Sequence, residues 1–224
     1  MQDRARTTRR SLLEAAAQLF VERGYAGTSV NDISARSGKT SGAVYFHYSS
    51  KEKLALAVVR ERFAAWPQLA VHYTAPDVPP LERLVALSFE VARVLCRDVI
   101  ARAGARLWAE RRSIDAVVPT PFAVWTAATT RLLADARSRG ELAEGIEPAR
   151  VAPALVGAFF GLYSLSDEAS GEQEFAARLD QWWRLVLNTL QACPGPDALI
   201  ARARARLPVG GPLARGGRRP VTGG

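Results

Sequence analysis

Residues 28–53 read TSVNDISARSGKTSGAVYFHYSSKEK, and this stretch decides the fold around it. Thr28 or Ser29 stands at an N-cap position, and Ser29 with Asp32 has capping-box spacing, which predicts the start of a helix. Gly38 ends this helix, because glycine accepts the positive φ that a tight turn needs. A short helix over 40–48 follows. Two short helices joined by a glycine turn are typical of a helix-turn-helix that reads duplex DNA.

The short helix over 40–48 carries side chains that suit this role. Val44 is expected to face the core, which leaves an outer side with these residues: Thr40, Ser41, Gly42, Ala43, Tyr45 and His47. Small side chains at the start of the helix allow close approach to a major groove. Tyr45, His47 and Lys51 suit phosphate contacts, and Thr28 is expected to offer its hydroxyl to another phosphate. Spacing alone leaves open an ordinary helical bundle whose exposed polar residues bind nothing.

The flanking sequence predicts an all-α protein, because apolar residues recur with the helical period and no alternating β-type run occurs. Ser49, with Glu52, is expected to cap a fourth helix. Five further helices are predicted over 81–96, 99–110, 121–139, 148–166 and 174–191. We divide the chain into a DNA-binding domain over 1–50, with the motif at about 29–48, a helical ligand-binding and dimerisation domain over 51–193, and a disordered basic tail over 194–224.

Charge and composition narrow the class of protein. The net charge of +8 is concentrated at the two ends, and residues 1–53 hold nine Lys and Arg against five Asp and Glu. A basic N-terminal unit on a near-neutral body suits a phosphate-facing surface. No apolar run approaches the ~20 residues that span a bilayer, and no signal peptide is evident, so a cytoplasmic protein is expected.

Catalysis, cofactors and metals find no support in the sequence. The Gly-Lys-Thr at 38–40 resembles the end of a phosphate-binding loop, but Ile33 stands where that motif needs its first glycine. His47 and His72 belong to no catalytic set. The two cysteines, Cys96 and Cys193, have no metal-ligand spacing. We therefore expect neither an enzyme nor a bound cofactor.

Residues 10–56 resemble the DNA-binding domain of the TetR family of transcriptional repressors. The elements that carry the resemblance occur in order: A-x-x-L-F, R-G-Y, T-S-V-x-D-I, G-A-V-Y-F-H-Y and S-K-E-K-L. The resemblance implies DNA contacts at the following residues: Thr28, Thr40, Ser41, Gly42, Tyr45, His47 and Lys51. Lys39 is a further candidate. Many relatives have Lys where this chain has Ser41, and Lys39 lies two positions earlier.

The body offers one candidate ligand site. Trp125 and Thr129 lie one turn apart on a predicted helix, where an indole N–H and a hydroxyl would orient a small neutral ligand in an apolar cavity. A core Trp, with the Thr129 hydroxyl bonded to its own helix, is the alternative that this spacing leaves open.

Residues 104–142 are similar to the corresponding region of the γ-butyrolactone autoregulator receptors, a TetR subgroup. The resemblance runs through GARLWAERRSIDAVVPTPFAVWTAATTRLLADARSRGEL and matches Trp125 to the pocket Trp of that subgroup. It implies a homodimeric repressor of secondary metabolism, such as antibiotic biosynthesis, that a butyrolactone, butenolide or furan signal releases from its operator in a form of quorum sensing. A TetR-type repressor of efflux or catabolic genes that responds to lipophilic xenobiotics is the alternative.

The resemblance also implies a dimer interface on the late helices. The candidate interface residues are Phe159, Phe160, Tyr163, Trp182, Trp183 and Val186. The alternative is that these side chains fill the core of their own subunit. Coupling between the two ends of the protein is expected to pass through the fourth helix, 51–63.

Overall fold

The computed structural model describes residues 2–64, 77–119, 122–166 and 171–207. The helices in these ranges are α1 Gln2–Arg23, α2 Val30–Ser37, α3 Ser41–Tyr48, α4 Lys51–Ala64, α5 Pro80–Arg97, α6 Val99–Ala109, α7 Phe122–Ser138, α8 Pro148–Ser164, α9 Gly171–Leu190 and α10 Pro196–Ala205. The prediction of an all-α fold is confirmed, and an isolated β-bridge pairs Leu142 with Gln191. None of the helices in the described ranges is long and apolar enough to span a membrane.

The head, residues 2–64, packs around a core that it shares with α6. Leu12, Phe20, Ile33, Val44 and Leu54 are fully buried there, together with residues of α6. The fourth helix belongs to this core, so the domain boundary expected at residue 50 falls just before a helix of the head.

The helix caps observed in the head agree with the sequence-based predictions, except that one cap lies one residue later than predicted. Ser29 and Asp32 form the capping box of α2, and Gly38 ends that helix with φ at 64°. Ser50, rather than Ser49, caps α4, because its Oγ accepts a hydrogen bond from the backbone N of Lys53 at 3.2 Å.

The body is built around α5. Most residues of α5 are buried on every side, because α6, α7, α9 and α10 pack around it. Burial extends to the charged residues Glu82 and Glu90, which pair with Arg202 and Arg93. The residues of α5 that face α7, α8 and α9 form one wall of the cavity described below.

The helix α10 corrects the prediction of a disordered tail from residue 194. Leu199, Ile200 and Ala203 are buried within the body core, which includes residues of α5. Glu82 of α5 accepts hydrogen bonds from Arg202, at 2.8 Å, and from Arg206. Burial tends to raise the pKa of Glu82, but the two guanidinium groups outweigh it and lower this pKa below its usual value. The short apolar face of α10 is difficult to recognise in a segment rich in Arg and Ala. Residues 208–224 of the predicted tail lie outside the described ranges.

Candidate DNA-binding surface and ligand cavity

Helix α3 is held on the head in one orientation. Thr40 caps it, because its Oγ1 accepts a hydrogen bond from the backbone N of Ala43 at 3.2 Å. Val44 and Tyr48 are buried on its inner side, and the Tyr48 hydroxyl donates to the backbone O of Arg9 at 2.8 Å. With its start capped and its inner side anchored to α1, α3 presents a defined outer side.

The outer side carries five of the residues predicted to contact DNA. We call this set the α3 surface: Lys39, Thr40, Gly42, Tyr45 and His47. The first four are exposed, and His47 is half-buried at the edge. Hydroxyl, ammonium and imidazole groups on one convex helix match the chemistry of base edges and phosphates in a groove.

Thr28, which was predicted to offer its hydroxyl to a phosphate, lies inside the head, and that contact stays a prediction. Thr28 is 2% exposed, and its Oγ1 donates a hydrogen bond to the backbone O of Gly24 at 2.8 Å. The turn after α1 leaves that carbonyl without a helical partner, so the threonine satisfies it inside the head.

Lys51 and Ser41 are engaged within the head as well. Lys51 Nζ donates to the backbone O atoms of Tyr25, at 3.1 Å, and Thr28, at 3.0 Å. Ser41 Oγ donates to Asn31 Oδ1 at 3.1 Å and so joins α3 to α2. These contacts position the motif; a role toward DNA remains a prediction for both residues.

An apolar cavity lies between α5, α7, α8 and α9. Leucine, valine and aromatic side chains form most of its wall, including Phe159, Phe160 and Trp183. No charged side chain of the described residues lines it. Such a wall favours an uncharged ligand, because an ion buried there would lose its hydration without gaining a partner.

Trp125 and Thr129 both line this cavity, as the helical spacing predicts. Thr129 is 5% exposed, and in the described part of the chain its hydroxyl has no hydrogen-bond partner. The alternative in which this hydroxyl bonds to its own helix is therefore not observed. Ser88 adds a second hydroxyl, which accepts a hydrogen bond from Trp183 Nε1 at 2.7 Å and donates to the backbone O of Val85 at 2.6 Å.

The aromatic residues assigned to the dimer interface lie in or against the core of their own subunit. Trp183 is 1% exposed and Phe159 is 8% exposed, so neither offers much surface to a partner, and their interface role stays a prediction. Phe160 and Trp182 are half-buried and line the cavity, and Tyr163 and Val186 pack against the same core. The helical period predicted an apolar stripe on each of these helices. It did not show whether the stripe packs in its own subunit or against a partner.

Helix α6 connects the head to the body. Glu110, just after α6, accepts hydrogen bonds from the backbone N of Tyr25 at 2.7 Å and from Arg106 Nε at 2.9 Å. Arg106 also donates to the backbone O of Val21. Gly24 has φ at 73°, and a Cβ there would lie 2.7 Å from Glu110 Oε1, so a side chain at this position would be strained and would displace the carboxylate. We call the Arg106–Glu110 pair and its contacts the head clamp.

A chain of aromatic contacts joins the cavity to the same helix. Phe160, in the cavity wall, contacts Phe122 edge-to-face at 4.9 Å between ring centroids, and Phe122 contacts Trp108 at 4.5 Å. Trp108 lies on α6 between the two residues of the head clamp. Among the described side chains, none from α4 or α6 lines the cavity, and α6 reaches it through Phe122. Helix α4 packs against α6, and the coupling expected through α4 stays a prediction.

The chain belongs to the TetR family. Residues 12–58 match the family described as "Bacterial regulatory proteins, tetR family", and residues 78–192 match "Tetracyclin repressor-like, C-terminal domain". In the described ranges, no group of three or more His, Cys, Asp or Glu side chains is placed to hold a metal ion.

A receptor protein and several solved structures match most of this chain. The A-factor receptor protein of Streptomyces griseus is 34% identical over 202 residues, which are 89% of this chain and 69% of the relative. A structure described as "Molecular basis for control of antibiotic production by a bacterial hormones" is 41% identical, covers 83% of this chain and 98% of its own, and has a TM-score of 0.76.

Two further structures match at similar length. A γ-butyrolactone receptor (ArpA-like protein) is 29% identical and covers 91% of this chain and 98% of its own, with a TM-score of 0.76. CprB of Streptomyces coelicolor, solved with its biological operator sequence, is 30% identical and covers 90% of this chain and 97% of its own, with a TM-score of 0.75. The resemblance drawn from the sequence is confirmed.

Sequence reasoning missed the contribution of α5 to the cavity. Leu84, Leu87, Ser88 and Val91 line it, and their spacing is that of one helix face. Ser88 could have indicated this cavity wall from the sequence, because a polar side chain on a buried apolar helix face needs a hydrogen-bond partner or a ligand.

Proposed function

We propose that the chain is a dimeric transcriptional repressor that binds a pseudo-palindromic operator and leaves it when a small neutral signal occupies the cavity. The signal is of the γ-butyrolactone, butenolide or furan type, and the genes controlled belong to antibiotic or other secondary metabolism. The protein acts in the cytoplasm as a regulator rather than an enzyme. The observation that carries this proposal is that one chain joins the α3 surface to an apolar cavity without charged wall residues.

The head supports the DNA-binding half of the proposal. The α3 surface flanks the side of α3 that lies opposite its buried residues, and the head carries a surplus of positive charge. Phosphate contacts supply most of the affinity and fix the register, while groups on α3 reach base edges. The similarity to CprB, which was solved in complex with its operator sequence, supports the same assignment.

The cavity supports the choice of signal. A lactone, butenolide or furan carries one or a few oxygens on an otherwise apolar body, and the Thr129 hydroxyl has a hydrogen bond to offer. Trp125 adds a broad apolar surface beside it. Opening the lactone ring to a carboxylate would place a charge among apolar side chains, which the cavity does not compensate.

The exposed sides of α8 and α9 are the dimer interface in this proposal. On α8 the small residues Ala154, Gly157, Ala158 and Gly161 are exposed, and on α9 Leu185 is 73% exposed. Small side chains let two helices approach closely, and an exposed leucine gains from burial in a partner. A second copy fits this role, because a motif of this type reads two half-sites ~34–36 Å apart.

Coupling between the cavity and the head passes through α6. A ligand beside Phe160 shifts the contacts of Phe122 and Trp108, and α6 carries the change to the head clamp. The two α3 helices of the dimer then lose the spacing that the operator needs. By linkage, the operator and the signal weaken each other by the same factor, ~5–150-fold for a typical coupling.

The test is release from a fluorescent operator duplex, selected with the purified protein from its own upstream DNA. We expect an alkyl γ-butyrolactone to lower the anisotropy and its ring-opened hydroxy-carboxylate, matched in chain length, to have no effect. Release by unrelated lipophilic drugs alone would favour a xenobiotic-responsive repressor instead. Failure to select any duplex would refute the DNA-binding role itself.

A further inference from the structure

Phe46 is an exposed apolar ring on the helix that faces DNA. Its side chain is 82% exposed. Among the described side chains of the head, Tyr45, at 54%, is the one other large apolar residue that is exposed. The other large apolar side chains described there are buried or half-buried, so the head does not lack a core in which to place a phenyl ring. An exposed phenylalanine on such a unit indicates a partner that covers it.

The helical phase places this ring at the centre of the outer side. Successive residues of an α-helix are about 100° apart, so Phe46 points roughly opposite both Val44 and Tyr48. Those two residues are buried against the head. Phe46 is therefore the side chain of α3 that reaches furthest from the head.

The neighbours of Phe46 leave it free to approach a flat surface. Gly42, one turn earlier on the same side, has no side chain, and a Cβ there would meet only Thr40 Oγ1, at 3.7 Å. His47 packs edge-to-face against the ring, with centroids 5.1 Å apart, and so limits its rotation. The ring thus projects beyond the α3 surface with polar groups on either side.

The major groove offers one apolar group at base edges, the 5-methyl group of thymine. A phenyl ring offers no hydrogen bond to the other base edges or to phosphates, so its favourable contact in the groove is with this methyl. We propose that Phe46 packs on a thymine methyl in each operator half-site and thereby selects a T·A pair there. This inference rests on the proposed DNA-binding function.

The test compares thymine with deoxyuridine, which keeps the base pair but lacks the methyl group. Each thymine of the selected operator is replaced in turn, symmetrically in both half-sites, and the affinity is measured by anisotropy. For the unmodified protein we expect one position where deoxyuridine weakens binding by about fourfold per half-site, as for the loss of one buried methyl. Phe46→Ala should bind the thymine operator more weakly and show no difference between thymine and deoxyuridine at that position.

Two variants serve as controls. Tyr45→Ala should weaken binding on every duplex but keep the thymine preference, and Phe46→Leu should keep part of that preference. A Phe46→Ala protein that binds as tightly as the unmodified protein, or that loses affinity while keeping the preference, overturns the inference. So does an operator that tolerates deoxyuridine at every position. If neither protein binds any duplex, the proposed function fails instead, and circular dichroism checks that the variants are folded.

Discussion

The head and the body place their candidate functional groups on opposite sides of their cores. In the head the groups stand outside the core, on one helix whose inner side is buried. In the body the groups point inward, into a cavity where four helices meet. The difference shows in the chemistry, because the outer surface carries hydroxyl, ammonium and imidazole groups around one exposed phenyl ring, while the inner wall carries no charged side chain among the described residues. The α3 surface therefore suits a charged, extended partner, and the cavity suits a small neutral one.

The largest difference should appear on changing the salt concentration. Operator binding releases counterions from phosphates, so we expect affinity to fall on the order of a thousandfold between 50 and 200 mM salt. Signal binding in the uncharged cavity should change less than about twofold, because screening acts on charges. Parallel titrations of the dimer with operator and with signal would measure both; a salt-dependent signal affinity would contradict a neutral ligand.

Changing Trp125 should separate the two functions. Trp125→Ala removes a large part of the cavity wall, and we expect signal affinity to fall by about thirtyfold, a value typical of a central aromatic contact. Operator affinity should stay within about twofold of the original, since Trp125 lies in the body. Isothermal titration calorimetry and anisotropy give the two values. Trp125→Phe is the matched control and should keep most of the signal affinity; loss of folding in the Ala variant would show that Trp125 is mainly structural.

Changing Glu110 should uncouple the head from the body. Glu110→Ala removes the carboxylate that holds the backbone N of Tyr25 and Arg106. The coupling factor is the ratio of operator affinities without and with signal. We expect this factor to fall by about tenfold, toward one, while the affinity for operator alone and for signal alone changes little. Anisotropy with and without signal gives this factor. Glu147→Ala, which breaks the surface pair with Arg137, is the control and should leave the coupling unchanged; an unchanged coupling in Glu110→Ala would contradict a role for the head clamp.

The smallest effect is expected at Glu82, which holds α10 on the body. Glu82→Gln weakens the contacts with Arg202 and Arg206, and because both arginines are about half exposed, we expect a loss of only ~1 kcal/mol, or ~3 °C in Tm. The folded-state pKa of Glu82 is lowered, so its stabilisation is present above the unfolded pKa and is lost as the pH falls through the folded one. Melting curves at pH 7 and at progressively lower pH should show the two proteins converging in acid; an equal gap at every pH would contradict the assignment.

The head could be read almost entirely from its sequence. The capping box of Ser29 and Asp32, the turn at Gly38 and the inward Val44 all stand where the pattern predicts them. These features depend on residues within a few positions of one another, so local rules determine them. Thr28 is the exception, since its burial depends on how the turn after α1 folds back on the helix.

The body was harder to read. The sequence placed its helices to within a few residues and identified Trp125 and Thr129, but it did not show that Phe159 and Trp183 lie inside the subunit. It also missed α10, whose buried side comprises three residues of modest size. An apolar stripe with helical spacing predicts that one face of a helix is buried. It does not show whether the same subunit or a second subunit buries that face.

The sequence by itself determined the all-α class, the positions of most helices, the motif in the head and the family. The tertiary structure decided which aromatic side chains line the cavity, which face of α8 and α9 stays open, and that α6 joins the head to the cavity. The reason is physical: capping, turns and amphipathic periodicity act over one to four residues along the chain. A cavity, a clamp or an exposed ring is defined instead by side chains far apart in sequence, so it exists only once the helices have packed.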